Sequence, residues 1–462
     1  MMHIPGPKPK GVFEFFLGNI FEIGKSIRCG KIVPEQYLEW FAIYGSIFKF
    51  EILNNFVIVV TKPESIKDVL VKQNFPKPSL VYKITGYPFN ERFLGSSIVS
   101  EMDMAKWQIR RKIFNNGFKN EFINECNSII NTKTDEFLEK LKLKANSKNL
   151  IELSDMISEL TLENISTIIF GSGFDTEKKF SSQLAKVLEG SNEQAINPFM
   201  TINPLNLKKI QIYRQAIRYL RSCTKDLILE RLEKIKNNEY CSNDMLCLVL
   251  DKLIAQNIDL ETIVDDVLSI LNGGQETTAN AIIFCLMEIY ANKPVLDKLL
   301  KELENVLGQR NKINSEDLIE LEYLDCVFKE TLRKYPPAVQ YLRETDKDYV
   351  LDGLFIPKKT WIVFTNETKS ISPFLMGRNS NYFTNPDKFM PERIKNFSFI
   401  PFSAGPRTCI GIKLAQIEAK IILAKLIKNI DFKFQEKPIK YTERITLRPA
   451  NGCSCFIEFK KN

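Results

Sequence analysis

The sequence predicts a mainly α-helical protein with small peripheral β-sheets. A helical pattern of apolar residues runs from Met104 to about Asn311, broken by clusters of Asn, Gly and Ser. Short strand-like runs lie outside it, at 47–60, 341–365 and the C-terminus, and each contains a turn signal. The sequence contains no repeat and no low-complexity tract. Together these observations favour a helix-dominated fold.

The first predicted elements are a hairpin, a helix and a loop. Residues 47–60 are predicted to form two strands joined at Asn54 and Asn55, and a helix is predicted to begin at Pro63. Residues 76–100 are rich in Pro, Gly and aromatic residues without a clear period, which indicates a long loop. Loops of that length in a compact chain are usually functional.

The longest helical pattern runs from Asp259 to Asn292, with Asp259 as its N-cap. A second hairpin is predicted around the Asp-Gly pair at 352–353, and an irregular segment, 366–408, precedes a final helix over 410–429. The C-terminal ITLRPANGCSCFIEF is predicted to form a hairpin that turns at Asn451-Gly452.

Composition favours one domain. The 462 residues are 44% hydrophobic and 26% charged, as expected of a globular protein with a large core. No composition shift divides the chain, so we expect a proline-rich N-terminal hinge over 1–12 and one catalytic domain over 13–462. An ordinary N-terminal tail is the alternative to a hinge that would follow a membrane anchor. The formal charge of +8 is spread along the chain, which argues against a nucleic-acid partner.

The cysteines and the single histidine exclude several kinds of chemistry. His3 is the only histidine, which removes His-dependent triads. Ten cysteines without regular spacing predict no disulfide framework and favour a reducing compartment, and zinc is poorly supported because no C-x-x-C pair occurs. No run of about 18 apolar residues is present, so no membrane-spanning anchor is predicted in this chain.

One cysteine stands out, in the stretch PFSAGPRTCIGIKLAQ. Cys409 precedes the predicted last helix, and a helix N-terminus stabilises a thiolate. Gly405 and Gly411 leave room for a flat group beside it. Arg407 offers a positive charge to a carboxylate, and Phe402 can shield the sulfur. Buried core filling and a catalytic nucleophile are the alternatives, but a nucleophile would need a base that no histidine supplies.

The pattern F-x-x-G-x-R-x-C-x-G has five fixed positions in this stretch, and through it the chain resembles the cytochromes P-450, the haem-thiolate monooxygenases. The resemblance covers essentially the whole chain. It implies the cytochrome P-450 fold, with haem b held between a long central helix and the cysteine-loop helix. It also implies that Cys409 is the axial ligand of the haem iron.

LNGGQETTAN, in the middle of the longest helix, is the second matching stretch. Two adjacent glycines in a helix cost roughly 1 kcal/mol each relative to Ala. Gly273 and Thr277 share a face, so the glycine opens a gap one turn from the hydroxyl. The resemblance implies that Thr277 supports cleavage of the O–O bond and that Glu276 belongs to a proton relay. A helix kink with solvated side chains is the alternative.

Two further stretches match. In FKETLRKYPP, Glu330 and Arg333 are neighbours on one helix face, and the resemblance implies a structural network with Arg393; a solvated pair is the alternative. In KWQIRRK, the resemblance places Trp107 and Arg111 on a haem propionate, where a surface stacking pair is the alternative. It assigns the same role to Arg343 and Arg407. The basic residues near the cysteine-side elements form either a docking face for an acidic electron donor or a plain solvated face: Lys106, Arg110, Lys112, Lys119 and Lys413.

The substrate is predicted from a closer resemblance to one branch of the family. FLGSSIVSE, GQETTAN, MGRNSNYFTNPDKF, SFIPFSAGPRTCIG and AQIEAKIILAKL are similar to sterol side-chain hydroxylases of the cholesterol 24-hydroxylase type, which suggests a role in sterol and lipid metabolism. Asn272 departs from the apolar residue expected beside Gly273, and its amide needs water, a substrate hydroxyl or backbone as partner. The predicted substrate contacts are Tyr82, Phe89, Leu94, Val99, Asn272, Ala338, Val339 and Asn451.

The resemblance implies a monooxygenase that inserts one atom of O2 into a C–H bond of a lipophilic substrate. The only candidate nucleotide-binding motif, GSGF, lacks its third glycine, so electrons are expected from a separate NADPH-dependent reductase. The family's usual location is the cytosolic face of the endoplasmic reticulum, and peripheral membrane association is a further expectation. A fatty-acid or xenobiotic hydroxylase, a haem-thiolate isomerase or dehydratase, and a non-catalytic haem- or lipid-binding protein stay open as alternatives.

Overall fold

The computed structural model confirms the mainly helical class. It describes residues 4–8, 18–45, 47–52, 55–60, 63–145, 150–171, 178–237, 239, 243–364, 374, 378, 383–393, 399–435 and 439–460. The helices are α1 (Ile20–Arg28), α2 (Val33–Tyr44), α3 (Pro63–Lys67), α4 (Ser79–Gly86), α5 (Met104–Phe114), α6 (Asn120–Ala145), α7 (Leu153–Phe170), α8 (Lys178–Ile196), α9 (Leu207–Lys236), α10 (Met245–Ala255), α11 (Leu260–Ala291), α12 (Lys293–Leu307), α13 (Ser315–Glu320), α14 (Glu322–Lys334) and α15 (Ile412–Asn429).

The strands are short. They are β1 (Ile47–Ile52), β2 (Asn55–Val60), β3 (Ile151–Glu152), β4 (Tyr341–Glu344), β5 (Tyr349–Leu351), β6 (Leu354–Ile356), β7 (Trp361–Phe364), β8 (Ile430–Phe434), β9 (Tyr441–Glu443), β10 (Leu447–Pro449) and β11 (Ser454–Phe459). The chain folds into two compact units. The first comprises residues 1–78, 325–409 and 440–450, and the second comprises 79–324, 410–439 and 451–462.

The first unit is built on a four-stranded sheet in the order β1-β2-β7-β4. β1 and β2 pair antiparallel, as predicted, with Ile52 opposite Asn55, although Asn54 lies outside the described residues. β2 pairs parallel with β7, and Val57–Val60 are buried, as expected of a strand in the middle of a sheet. An apolar core forms around this sheet, and it includes residues of α3 and of the π-helical turn Asp68–Lys72 that continues it.

The second unit is built around α11, which packs against α7, α9 and α15. The predicted helix is confirmed: Asp259 is the N-cap, and its carboxylate accepts a hydrogen bond of 3.0 Å from Thr262 N. The final helix is also confirmed, with Gly411 as its N-cap. A three-stranded sheet in the order β3-β11-β8 belongs to the same unit. None of the helices in the described ranges is both long enough and apolar enough to cross a bilayer.

Two predictions about local structure are wrong. Residues 76–100 are not one loop, because they contain α4 and the 3-10 turn Pro88–Asn90. Leu80 and Ile84 of α4 are 45% and 46% exposed, so its apolar residues do not mark a buried face. The strands beside Asn451-Gly452 do not form a hairpin with each other. β10 pairs with β9, and β11 pairs with β3 and β8, because longer-range pairing decides their partners.

The hairpin predicted around 352–353 is confirmed, since β5 and β6 pair antiparallel and both turn residues have positive φ. Nearly half of the irregular segment 366–408 lies outside the described residues, as do Ser172, Gly173 and Phe174 of GSGF.

Candidate active site

The cysteine loop belongs to the first unit. Cys409 is exposed, so its side chain does not fill the core. Its N–H donates to Phe402 O at 2.9 Å, and Thr408 N donates to Gly405 O at 3.0 Å. Ser403 has a φ of +63°, which turns the chain back on itself. These bonds fold residues 402–409 into a compact loop that presents the thiol.

The two glycines beside the cysteine lie in different local surroundings. Gly405 has a φ of +74°, and a Cβ there would overlap the carbonyl oxygen of Leu70, so the loop requires glycine to approach the π-helical turn Asp68–Lys72. Gly411 has a φ of −88°, and a Cβ there would meet only Phe118, at an ordinary 3.7 Å. The clearance predicted for both positions is therefore seen at Gly411, whereas Gly405 is fixed by backbone packing.

The first unit also holds two predicted propionate partners. Arg343 lies on β4 with 2% of its surface exposed, and its Nη1 donates to Leu342 O at 2.8 Å. Arg407 is half-buried in the cysteine loop. Val339 is buried and Ala338 half-buried just before β4. The first unit therefore contains a buried cation at Arg343, an exposed thiol at Cys409 and the largely buried apolar side chains of Ala338 and Val339.

The predicted structural network is present in the first unit. Glu330 is fully buried and accepts hydrogen bonds from Arg333 Nε at 2.7 Å, Arg333 Nη2 at 2.8 Å and Met390 N at 2.8 Å. Arg393 Nε lies 3.2 Å from the same carboxylate. The alternative of a solvated pair is excluded by this burial. Ile394 lies outside the described residues.

The oxygen-activation stretch belongs to α11, in the second unit. Between Ile263 and Ile289, every residue is buried except 272–274, 276 and 277. The Thr277 hydroxyl donates to Gly273 O at 2.6 Å. In the part of the chain that the structure describes, no atom lies within 4 Å of a Cβ placed on Gly273. An otherwise buried helix therefore has one open stretch, at the residues that the motif singled out.

The adjacent glycine is different. A Cβ on Gly274 would lie 2.8 Å from Ile165 Cγ1, so this glycine allows α7 and α11 to pack closely. Asn272, beside the gap, is half-buried, and its buried Oδ1 accepts no hydrogen bond from any described residue. A buried acceptor without a donor costs about 1–3 kcal/mol unless a ligand or water supplies one. The amide thus offers an acceptor at the edge of the gap.

Trp107 and Arg111 lie on α5, also in the second unit. The indole is 4% exposed, and the guanidinium lies 6.0 Å from its ring centre. Because Trp107 is buried, the pair is not a surface stack. Arg110, which was placed among the basic surface residues, is 1% exposed and pairs with Asp266 at 2.8 Å. It therefore does not belong to a docking face, whereas Lys106, Lys112, Lys119 and Lys413 are exposed.

The predicted substrate contacts of the second unit differ in exposure. Phe89 is buried against the ring of Tyr213, with centroids 5.0 Å apart. Leu94 is 5% exposed, Tyr82 is half-buried, and Val99 is 40% exposed. Asn451 is exposed in the turn before β11. Phe89 is thus engaged in packing, and Leu94 is the most buried of the other predicted contacts in this unit.

Sequence patterns missed two adjacent carboxylates on α11. Asp265 and Asp266 are both fully buried. Burial raises the pKa of Asp266 to about 7, although Arg110 and the amide of Ile98 oppose the shift. The partners of both aspartates are distant in sequence, so no pair at i, i+3 or i, i+4 spacing indicates them. Only the unusual pair of acidic residues inside an apolar helical pattern could have indicated them.

The comparisons with known proteins show which family the chain belongs to. The sequence model of the cytochrome P450 family matches residues 7–456, so the chain belongs to that family. It is therefore an oxidoreductase of the monooxygenase class, and the family implies a haem with a cysteine thiolate ligand.

Its relatives are similar over most of their length. The chain is 28% identical to cytochrome P450 4d2 of Drosophila melanogaster, with 97% of this chain and 92% of the relative covered. It is 26% identical to cytochrome P450 4e2 of the same organism, with 90% and 81% covered. It is 26% identical to human cytochrome P450 3A7, with 95% and 86% covered.

The described residues fit such a group. In the first unit the sulfur of Cys409 is exposed, as an iron ligand must be, and in the second unit the helix stretch at Gly273 is open. Trp107, Arg111, Arg343 and Arg407 supply donors suited to carboxylates.

Proposed function

We propose that this protein hydroxylates a lipophilic substrate that carries a hydroxyl group, with sterols as the first class and fatty acids or xenobiotics as the alternative. The observation that carries the proposal is the open stretch of α11, where Thr277 faces a gap at Gly273 and Asn272 offers an unsatisfied acceptor. A sterol is apolar apart from its hydroxyl, which could donate to such an acceptor. The names of the three relatives specify no substrate.

The residues would divide the work as follows. Cys409 would ligate the haem iron, and Trp107, Arg111, Arg343 and Arg407 would hold the propionates. The haem, when bound, supplies the oxygen chemistry that no side chain can provide. Phe402, Gly405 and Gly411 would shape the surroundings of the sulfur.

Proton delivery would fall to Thr277 and Glu276. The Thr277 hydroxyl donates to Gly273 O and keeps two lone pairs, so it can accept a hydrogen bond from a proton source and, by rotating, donate its own proton into the gap. Glu276, one residue before it and half-buried, would supply the proton. The presence of both residues disfavours an isomerase or dehydratase that needs no O2.

Partners and location belong to the same proposal. The family generally uses a separate reductase, O2 and a lipophilic substrate, so an NADPH-dependent cytochrome P-450 reductase is the proposed electron donor. The proposed site of action is the cytosolic face of the endoplasmic reticulum, with peripheral membrane contact.

The first experiment tests the ligand. The reduced CO complex of the wild-type holoprotein should show the absorption typical of thiolate-bound haem, and Cys409→Ser should lose it. If Cys409→Ser keeps that spectrum, the assignment of the ligand is wrong. Cys326→Ser is a matched control, since this half-buried cysteine lies outside the proposed site.

The second experiment tests the substrate. Cholesterol, a side-chain hydroxysterol and lauric acid are titrated against the haem spectrum, and turnover is measured with NADPH, reductase and O2. We expect the sterols to bind and be oxidised, and Asn272→Leu to weaken their binding more than that of lauric acid. If no sterol shifts the spectrum, the sterol class is excluded, and binding without any product would indicate a non-catalytic protein.

A further inference from the structure

Segment 92–96 of the second unit is bound to α11 through one buried carboxylate. Asp265 accepts hydrogen bonds from Arg92 Nη2 at 2.7 Å and from Ser96 N at 2.9 Å. Arg92 Nε lies 3.1 Å from the other oxygen of the carboxylate. The carboxylate thus holds both ends of a five-residue stretch.

The same carboxylate binds a third element. Arg221, on α9, donates from Nη1 to Asp265 at 2.6 Å and to the carbonyl oxygen of Phe93 at 3.0 Å. Its Nη2 pairs with Glu261, which belongs to the first turn of α11 and also pairs with Lys225 at 2.8 Å. Asp265 therefore joins α11, α9 and segment 92–96 at one point.

The backbone of the segment is shaped to this contact. Gly95 has a φ of +44°, and a Cβ there would overlap both oxygens of Asp265. Only glycine allows the chain to pass directly over the carboxylate and present Ser96 N to it. Leu94, a predicted substrate contact, lies between the two residues that Asp265 binds, and it is 5% exposed.

Neighbouring groups reinforce the attachment without replacing it. Asp266 accepts from Ile98 N at 2.6 Å and from Arg110 Nη1 at 2.8 Å, and Arg110 also donates to Ser96 O at 2.7 Å. By contrast, Arg218 of α9 pairs with Glu91 at 2.9 Å while 65% exposed. Exposed ion pairs contribute little, whereas a buried carboxylate with two guanidinium partners is costly to break.

We propose that Asp265 is a positioning residue for substrate, which fixes segment 92–96 and the side chain of Leu94 against α11 and thereby determines which lipophilic substrates bind. This inference rests on the proposed function, because it takes Leu94 as part of the substrate site. Asp265 touches no reacting atom, and its effect on the reaction passes through the segment. Its removal is therefore expected to change substrate binding and the position oxidised more than the rate of the chemical step.

The test compares Asp265→Asn with the wild-type holoprotein, using the sterol or fatty acid that the wild type oxidises. The amide is the same size, so it keeps the packing while removing the charge that holds Arg92 and Arg221. We expect KM to rise about tenfold and kcat to change less than twofold, with a broader set of products. Imidazole, a small ligand of the haem iron, should bind both proteins equally. Arg218→Gln is the matched control and should leave KM within twofold.

Two results would overturn the inference: unchanged KM and products in Asp265→Asn, or an equal change in Arg218→Gln. If Asp265→Asn does not fold, Arg92→Gln is the test variant. Arg92 is one-third exposed, so its replacement should destabilise the protein less. It should raise KM about threefold, and an unchanged KM contradicts the proposal.

Failure of the proposed function gives a different pattern. The wild type itself would then neither bind nor oxidise any of the lipids. In that case hydrogen exchange tests whether Asp265 holds the segment in place. The backbone amides of residues 92–98 should exchange at least tenfold faster in Asp265→Asn than in the wild type. Equal exchange rates would show that Asp265 does not hold the segment.

Discussion

Glu330 and Asp265 are both fully buried carboxylates, and each accepts hydrogen bonds from an arginine and from one backbone amide. Their partners differ in where they come from. Arg333 lies one turn from Glu330 on the same helix, whereas Arg92 and Arg221 lie 173 and 44 residues from Asp265. The first arrangement starts from one local pair, to which Met390 N and Arg393 add contacts from a distant segment, and the second joins three separate elements.

The difference shows that two buried carboxylates with similar hydrogen bonds can have different structural effects. An ion pair within one helix, such as Glu330–Arg333, can form as soon as the helix forms, so we expect its main effect to be on stability. A carboxylate whose partners are distant in sequence, such as Asp265, gains its hydrogen bonds only when three elements have assembled. We therefore expect its main effect to be on the relative positions of those elements. The predictions below test this contrast, starting with the largest expected effect.

Removing the charge of Glu330 should have the largest effect. Glu330→Gln leaves Arg333, which is 2% exposed, without its carboxylate, and uncompensated buried charges cost about 3–5 kcal/mol. The free energy of unfolding, from denaturant titration, should fall by that amount, and purified protein should contain less haem. Asp325→Ala, which breaks the partly exposed Lys329–Asp325 pair nearby, should cost less than about 1 kcal/mol. A loss below 1 kcal/mol in Glu330→Gln would contradict the structural role.

Gly95→Ala should disturb the Asp265 site without changing any charge. The new Cβ would overlap the carboxylate, and its left-handed backbone adds strain, so we expect a loss of about 3 kcal/mol in the free energy of unfolding. Gly353→Ala is the matched control: φ is +78°, and no atom of the described residues lies within 4 Å of its Cβ. It should cost only about 1 kcal/mol. Equal losses in the two variants would show that contact with Asp265 is not what requires Gly95.

The sequence could predict the Glu330 site because its first pair is local and its motif is recognisable. The same holds for Asp259 as N-cap and for the stretch around Gly273, where helical spacing alone places residues on one face. It could not predict the Asp265 site, because its partners become neighbours only through tertiary packing. Tertiary packing also decides the partners of β10 and β11, which the sequence wrongly paired with each other. The reason is different for α4, whose apolar residues Leu80 and Ile84 are exposed and give no pattern of a buried face.

Glu418 extends the comparison to a buried carboxyl group for which no arginine contact is seen among the described residues. Asn164 Nδ2 donates to it at 2.8 Å, and burial raises its pKa from 4.5 to about 8. Because the folded state holds the proton more tightly, this group stabilises the fold below pH 4.5, and that contribution is lost as the pH rises to 8. Between pH 6 and 8 the wild type should lose about 2 kcal/mol of stability through this group.

Glu418→Gln should flatten this pH dependence, because an amide of the same shape does not titrate. Thermal unfolding of the two proteins at pH 6, 7 and 8 provides the measurement, and the melting temperature of the variant should exceed that of the wild type increasingly as the pH rises. Parallel curves would mean that Glu418 is ionised at neutral pH despite its burial.

The smallest effect is expected at an exposed pair with the spacing that sequence patterns detect most easily. Lys293 and Asp297 are i, i+4 on α12 and lie 2.8 Å apart, but their side chains are 81% and 55% exposed. Solvent screens such a pair, so Asp297→Ala should change the free energy of unfolding by about 0.3 kcal/mol, and less in 1 M salt. The Lys293→Ala/Asp297→Ala cycle measures the coupling directly. A coupling above 1 kcal/mol would mean that exposure does not separate the weak pairs of this protein from the strong ones at Glu330 and Asp265.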